Sequence, residues 1–348
     1  WAASEAASEE WRQPWPRLTG LLVDALRRHA GDPGIQARVS IALARFLDHR
    51  PAVGADAARF GALALLTEEA PRQLALANDG AYAGVLSAVA QLFLNHHPSA
   101  LEASAGQLPA PCELLLAALQ RPPAQLDAEA RRYIAAALAY VCSEKIRLQV
   151  HNPGVVIVAV DELRKLLEGY PAFAVEGAAR AFVADALIEG MHRHTSDANL
   201  QVAVISALRI LITEAVASVA VAVEAGAIKA LFSALDAHPA DASVQAGACG
   251  AFGQLLETTA SMALELPAGA LHTLLSALRN HIECEDVQVQ ASYALASLLE
   301  RYPEEAGPAC DASVMSCLEA SFERHPRSGR LRTAATPVMM RLTKQIVS

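Results

Sequence analysis

Residues 224–257 read EAGAIKALFSALDAHPADASVQAGACGAFGQLLE, and residues 267–300 read PAGALHTLLSALRNHIECEDVQVQASYALASLLE. The two stretches align without a gap at an offset of 43 residues, and nearly all of their apolar positions coincide. A period of roughly 40–47 residues made of helical segments is typical of proteins that stack one supersecondary unit on the next. These stretches therefore predict an all-α solenoid.

Paired apolar residues that end the last helix of each unit carry the period along the chain. In the second half the pairs are separated by 45, 44 and 43 residues: Leu166-Leu167, Leu211-Ile212, Leu255-Leu256 and Leu298-Leu299. In the first half they are 47 residues apart: Phe46-Leu47, Phe93-Leu94 and Tyr140-Val141. The interval from Val141 to Leu167 is only 26 residues, which is too short for three helices. We therefore expect an array of about seven units over residues 17–345, with a truncated or irregular unit near residues 143–172.

Within a unit, the apolar spacing is that of helices. Residues 287, 291, 294, 295, 298 and 299 are apolar and follow the i, i+4, i+7, i+8 pattern of a helix with one buried face. The segment 270–278 shows the same pattern, and polar residues separate the two. Glycine precedes the first of these helices in both stretches, at Gly226 and Gly269, where a sharp joint requires a residue without a Cβ atom.

This arrangement resembles the armadillo repeat. The resemblance lies in Gly226-Ala227-Ile228 at a helix start, a short polar link, and then Val-Gln-x-x-Ala and a closing Leu-Leu. It implies a right-handed α-solenoid whose unit has three helices, here 215–223, 227–235 and 243–256. HEAT repeats, which have two helices, are the nearest alternative. The glycine joints favour armadillo units in the second half and leave mixed units open in the first.

The resemblance also implies a binding surface on the third helices. Armadillo proteins that bind extended peptides commonly carry asparagine at one position of that helix, and some add tryptophan one turn away. The equivalent positions of this chain contain no asparagine: Arg45, Gln91, Tyr140, Lys165, Ile210, Gln254, Ser297 and Arg341. Nuclear-signal recognition is therefore not expected. Apart from Ile210, these side chains are the candidates for partner binding, with Gln91 and Gln254 as partial substitutes for asparagine.

All three tryptophans, Trp1, Trp11 and Trp15, precede the array. Exposed tryptophan is unfavourable, so residues 1–16 are expected either to cap the apolar end of the first unit or to dock on a partner. Trp11 and Trp15 are four residues apart and share a face if the segment is helical. They join the candidates for partner binding.

Charge is distributed unevenly. Residues 175–321 contain 18 Asp and Glu against 6 Lys and Arg, whereas residues 322–348 contain 6 Lys and Arg against a single glutamate. The net negative charge of residues 175–321 disfavours nucleic acid as a partner. Two interpretations stay open, a basic protein partner along the second half or an ordinary solvated surface. No apolar run is long enough to predict a membrane span.

No sequence motif predicts catalysis. The six cysteines form no Cys-x-x-Cys pair, and the spacing of His192 and His194 places them on different sides of a helix. No phosphate-binding loop or Gly-x-Ser-x-Gly is present. We therefore expect no cofactor, reduced thiols in the cytoplasm, and a non-enzymatic scaffold or adaptor subunit that binds a protein within a larger complex. The alternatives are a structural or accessory subunit of a large ciliary or organellar assembly, or a regulatory subunit of an enzyme complex.

Overall fold

The computed structural model describes residues 14–76, 79–94, 109–120, 128–149, 151–169, 178–214, 216–259, 264–303 and 308–347. Every regular element within these ranges is a helix, so the predicted all-α class is confirmed. The helices pack into two compact units, residues 1–141 and residues 142–348, and the boundary falls inside one long helix.

In the first unit the α-helices are α1 (Pro14–Arg28), α2 (Pro33–His49), α3 (Gly54–Arg59), α4 (Ala62–Ala75), α5 (Asp79–Leu94), α6 (Pro109–Leu119) and α7 (Ala128–Leu148), which crosses the boundary. A 3-10 turn, Pro51–Val53, joins α2 to α3. In the second unit they are α8 (Pro153–Gly169), α9 (Ala178–Arg193), α10 (Ala198–Glu214), α11 (Val216–Glu224), α12 (Ala227–Ala237), α13 (Ala242–Thr258), α14 (Ala270–Asn280), α15 (Glu285–Arg301), α16 (Pro308–Arg324) and α17 (Gly329–Val347).

In the first unit, α2 and α5 form the main helix pair. α4 packs on α5, and α1 packs on α2. Trp15 of α1 is half-buried, with its ring centroid 5.7 Å from that of Phe46 on α2. The Arg50 guanidinium lies 4.9 Å from the Trp15 ring centroid. Trp15 therefore packs on the first helices, whereas Trp1 and Trp11 fall outside the described residues.

In the second unit the helices form two layers in chain order. One layer consists of α8, α10, α13, α15 and α17, each packed on the next. The other contains α9, α12, α14 and α16, which also contact one another in sequence. The three helices predicted around Gly226 are all present, as α11, α12 and α13.

A buried glutamine joins the two layers in three consecutive repeats of the second unit. Gln201, Gln245 and Gln288 are each at most 3% exposed. Each Nε2 donates to two carbonyl oxygens at 2.8–3.0 Å, one near the end of the preceding helix and one in the following loop. The acceptors are Met191 and His194 for Gln201, Leu235 and His238 for Gln245, and Leu278 and His281 for Gln288. The last carbonyls of a helix have no partner within it, so the amide satisfies a group that would otherwise be buried unpaired.

Histidines link successive loops. The Nε2 atom of His238 donates to the Thr195 carbonyl at 2.7 Å, and that of His281 donates to the Pro239 carbonyl at 2.8 Å. His325 repeats the contact with Ile282 at 2.7 Å. Each bond requires the tautomer with its proton on Nε2. The loops are therefore joined by specific hydrogen bonds in addition to apolar packing.

Helix starts and joints follow local chemistry. The Asp241 carboxylate accepts hydrogen bonds from two backbone N–H groups at the start of α13, as Asp32 does at the start of α2. Gly226 and Gly269, with φ of 94° and 82°, precede α12 and α14 in the left-handed region that favours glycine. The sequence placed both joints correctly.

The short interval between Val141 and Leu167 contains the end of α7 and one further helix, α8. Only residues 149–152 separate these two helices. Asn152 caps α8 through the Val155 N–H at 3.4 Å, and α8 then packs on α10 in the first layer.

Glycines on α13 allow α15 to approach closely. A Cβ atom at Gly253 would lie 2.6 Å from Cδ1 of Tyr293 and 3.1 Å from Cα of Ala294, which is backbone. At Gly250 the nearest atom would be Oε1 of Gln290, at 2.4 Å, the mobile end of a long side chain. A methyl group at Gly253 would thus overlap the Tyr293 ring and press on the Ala294 backbone.

The Gly253→Ala substitution tests this packing. Alanine is favoured over glycine inside a helix by about 1 kcal/mol. We nevertheless expect the free energy of unfolding to fall by about 1–3 kcal/mol, because the methyl group meets the Tyr293 ring and the Ala294 backbone. The control Gly250→Ala should cost nothing or stabilise, because the Gln290 side chain can turn away. Urea denaturation followed by circular dichroism measures both. A Gly253→Ala protein at least as stable as the wild type would contradict the close approach.

Candidate functional site

An open groove of about 1210 Å³ runs along α15 between the end of α13 and the start of α17. We call it the α15 groove. Its lining includes side chains from all three helices: Leu256, Glu257, Val289, Gln290, Tyr293, Ala296, Ser297, Glu300, Arg301, Arg330, Thr333 and Pro337. Drug-sized ligands usually occupy pockets of ~300–1,000 Å³ that enclose them. The size and openness of this groove suit a chain segment better than a small molecule.

The groove exists because α15 has two different faces. Val287, Ala291 and Leu298 are buried in the core. Gln290, Tyr293, Ser297 and Glu300 follow one another at intervals of three or four residues on another face and line the groove. The same helical period that buries the apolar stripe therefore presents a polar stripe.

Tyr293 and Glu257 join α15 to α13 across the groove. The Tyr293 hydroxyl donates a hydrogen bond to the Glu257 carboxylate. Burial, followed by the bond to Glu257 and its charge, raises the pKa of Tyr293 well above its ordinary value, and the Arg209 charge opposes this in part. The phenol is therefore neutral and serves as a donor.

The two arginines of the groove are already engaged within the chain. Arg301 Nη1 donates to the Leu256 carbonyl at 3.0 Å and to the Thr259 hydroxyl at 2.8 Å. Arg330 Nη1 donates to Oδ1 of Asp286 at 2.9 Å. Both guanidinium groups thus have internal partners that hold them in place.

Gln290 and Glu300 differ from these residues. Among the residues that the structure describes, neither side chain has a hydrogen-bond or ion-pair partner within the chain. Gln290 is partly exposed, and Glu300 is exposed. Neither residue stands out in the sequence, although Gln290 lies two turns before Ser297 on the same face. The α15 groove therefore offers one unpaired amide and one unpaired carboxylate.

The side chains predicted for partner binding have mixed surroundings. Ser297 lines the groove, and its hydroxyl donates to the Tyr293 carbonyl at 3.2 Å. Gln254 donates from Nε2 to the Thr213 hydroxyl at 2.5 Å. Gln91 is 4% exposed and donates to Oδ1 of Asp48 at 3.2 Å. Both glutamines proposed as substitutes for asparagine thus donate a side-chain hydrogen bond within the chain.

The remaining candidates are dispersed. Arg45 lies in the first unit, where it lines a mainly apolar depression of about 590 Å³ on α2 with Ile41 and Phe46. Tyr140 is half-buried on α7. In the second unit Lys165 is exposed on α8, and Arg341 is half-buried on α17. Of the predicted residues that the structure describes, Ser297 alone lines the α15 groove.

A smaller groove of about 420 Å³ lies between α8 and α10. Its lining is Arg164, Glu168, Ser206, Arg209, Ile210 and Thr213, and we call it the α10 groove. Arg164 is bound there to Glu168 at 2.6 Å, and this contact raises the pKa of the guanidinium.

No group of three or more His, Cys, Asp or Glu residues in the described part of the chain could hold a metal ion. Among the described residues, Cys142, Cys249, Cys284 and Cys317 form no disulfide bond, and complete burial raises the pKa of Cys249 to about 12. The Cys249 thiol is therefore not available as a thiolate nucleophile at neutral pH.

No single helix within the described ranges is both long and apolar enough to cross a bilayer; residues of α11 and α12 reach that length and composition only as a pair bent by 64°. Neither protein-family models nor curated proteins give a match to this chain.

The raised pKa of Tyr293 gives a pH-dependent prediction. The neutral phenol is the form that the folded state favours, so its contribution to stability is full below pH 10 and is lost as the pH rises through the folded pKa. Between about pH 9 and pH 10.5, where an ordinary tyrosine ionises, Tyr293→Phe should leave the tyrosinate absorbance of the native protein unchanged. A loss of one tyrosine equivalent from that window would contradict the raised pKa.

Proposed function

We propose that the chain is a non-enzymatic protein-interaction subunit, an armadillo-type right-handed solenoid that binds an extended basic peptide segment of a protein partner in the α15 groove. The described cysteines form no disulfide bonds, which supports a reducing compartment such as the cytoplasm. The observation that carries the proposal is the unpaired Gln290 and Glu300 on one exposed face of α15.

The charge of the groove favours a basic segment. Glu257 and Glu300 are both exposed. Arg301 is bound to groups at the end of α13 and Arg330 to Asp286, so the two arginines that line the groove do not neutralise Glu300. A lysine or arginine of a partner would therefore supply the counter-charge that Glu300 lacks.

The amide of Gln290 favours an extended backbone. A side-chain amide carries donors and an acceptor, so it can pair with the N–H and C=O groups of a peptide that has no secondary structure of its own. The Tyr293 ring beside it supplies a flat surface for packing, because the phenol is held in place by Glu257. Polar groups for orientation and an aromatic surface for contact are the usual parts of a peptide-binding groove.

Selection from a random peptide library tests the proposal. Peptides of about twelve residues span ~40 Å when extended and are displayed against the full chain. We expect the bound peptides to be enriched in Lys and Arg. Glu300→Gln should weaken them by about threefold to tenfold, the effect of losing one partly exposed ion pair, and added salt should weaken the wild-type complex.

Glu265→Gln is the matched control, because Glu265 is exposed in the segment before α14 and does not line the groove. It should bind the same peptides as the wild type. Failure to select any peptide would count against the proposal, as would peptides whose affinity is equal for the wild type and Glu300→Gln.

A further inference from the structure

Arg209 is a half-buried cation that forms no direct ion pair with any residue in the described part of the chain. It lies on α10 and lines the α10 groove. Within the described ranges, no carboxylate lies within ion-pair distance of its guanidinium, and no hydrogen bond from that group is found. The neighbouring Arg164, by contrast, is bound to both Asp161 and Glu168. Taking a charge partly out of water without a partner is unfavourable, so an anion that reached Arg209 would be bound with a gain.

Gly250 brings the Arg209 side chain next to that of Gln290. A Cβ atom at Gly250 would lie 3.4 Å from Cζ of Arg209 and 2.4 Å from Oε1 of Gln290. Both polar ends therefore lie over the bare backbone of α13 at the same point. Arg209 also acts electrostatically on Tyr293, whose pKa it lowers against the larger effect of burial. The guanidinium thus adjoins the α15 groove as well as the α10 groove.

The two hydroxyl groups that line the α10 groove already donate hydrogen bonds to backbone carbonyls. Ser206 donates to the Val202 carbonyl at 2.8 Å, and Thr213 donates to the Arg209 carbonyl at 2.7 Å. The donors that remain available are the Arg209 guanidinium and the Gln290 amide. The guanidinium presents a fork of N–H groups that matches two oxygens of a carboxylate or phosphate. We infer that Arg209 and Gln290 bind an anionic side chain of the docked segment, a carboxylate or a phosphorylated hydroxyl. The inference rests on the proposed function and specifies its ligand further.

The positions of Gln290 and Glu300 define the spacing of two charged residues in the docked segment. Gln290 and Glu300 are ten residues apart on α15, which is about 15 Å along a helix. An extended peptide covers that distance in about four to five residues. The segment therefore carries an acidic or phosphorylated residue and a basic residue separated by about that number of positions.

Two measurements test the Arg209 site. In the first, the same random peptide library is selected against the wild type, Arg209→Gln and the control Arg327→Gln, since Arg327 is an exposed arginine outside both grooves. The wild type and Arg327→Gln should select peptides with an acidic and a basic residue at the predicted spacing. Arg209→Gln should keep the basic preference and lose the acidic one. Selected peptides synthesised with Glu, Gln or phosphoserine at the acidic position distinguish carboxylate from phosphate.

The second measurement does not depend on a peptide. Inorganic phosphate, and separately acetate, is titrated into the full chain with its arginines labelled with nitrogen-15. The side-chain resonance that is absent from Arg209→Gln should shift saturably, more than that of Arg327. An unmoved resonance would overturn the anion site. An unchanged preference for acidic residues in Arg209→Gln would also overturn it. In either case, the proposed function would still hold if the selected peptides remain basic and bind more weakly to Glu300→Gln.

Discussion

The hydrogen bonds from buried glutamine amides to helix-end carbonyls are the interaction on which the second unit depends. Gln288 shows the arrangement in full: its Nε2 bridges the Leu278 and His281 carbonyls, and its Oε1 accepts from the Ser321 hydroxyl. A buried polar group without a partner costs about 1–3 kcal/mol. The relative placement of α14 and α15 is therefore set by directed bonds, whereas apolar contact between alanine-rich faces alone would permit sliding.

This fixed register explains how the grooves are formed. Once each helix of the first layer is held against the second layer, close approach between neighbours depends on small residues, and Gly250 and Gly253 provide the room on α13. Tyr293 lies in the space at Gly253, and the ends of the Gln290 and Arg209 side chains both lie beside Gly250. The polar side chains that we propose to bind a partner are thus positioned by the same glycines that let the helices pack.

The sequence predicted much of the fold. The period, the helix type and the joints at Gly226 and Gly269 follow from local spacing and backbone preference, which a single sequence displays. The pattern His-x-x-Asp-x-x-x-Gln was also visible, for example at His238, Asp241 and Gln245. Its residues form the loop contact, the helix cap and the glutamine bridge, but by type alone they do not differ from those of an ordinary polar link.

The candidate site was predicted only in part. Ser297 lies in the α15 groove, but Gln254 and Gln91 are bound to Thr213 and Asp48, residues 41 and 43 positions earlier. Whether a polar side chain is available depends on the side chain that the preceding unit places beside it. Spacing within one unit does not contain that information, so Gln290, Glu300 and Arg209 emerged only from the structure.

The most direct test compares two glutamines of the same helix. Gln288 is fully buried and bridges three groups, whereas Gln290, two residues later, has no partner among the described residues. Gln288→Ala should lower the free energy of unfolding by about 2–3 kcal/mol, because buried carbonyls lose their donor. Gln290→Ala should change it by less than about 0.5 kcal/mol. Equal changes in the free energy of unfolding for the two variants, measured by chemical denaturation, would contradict the claim that the buried glutamine amides hold neighbouring helices of the second unit in register.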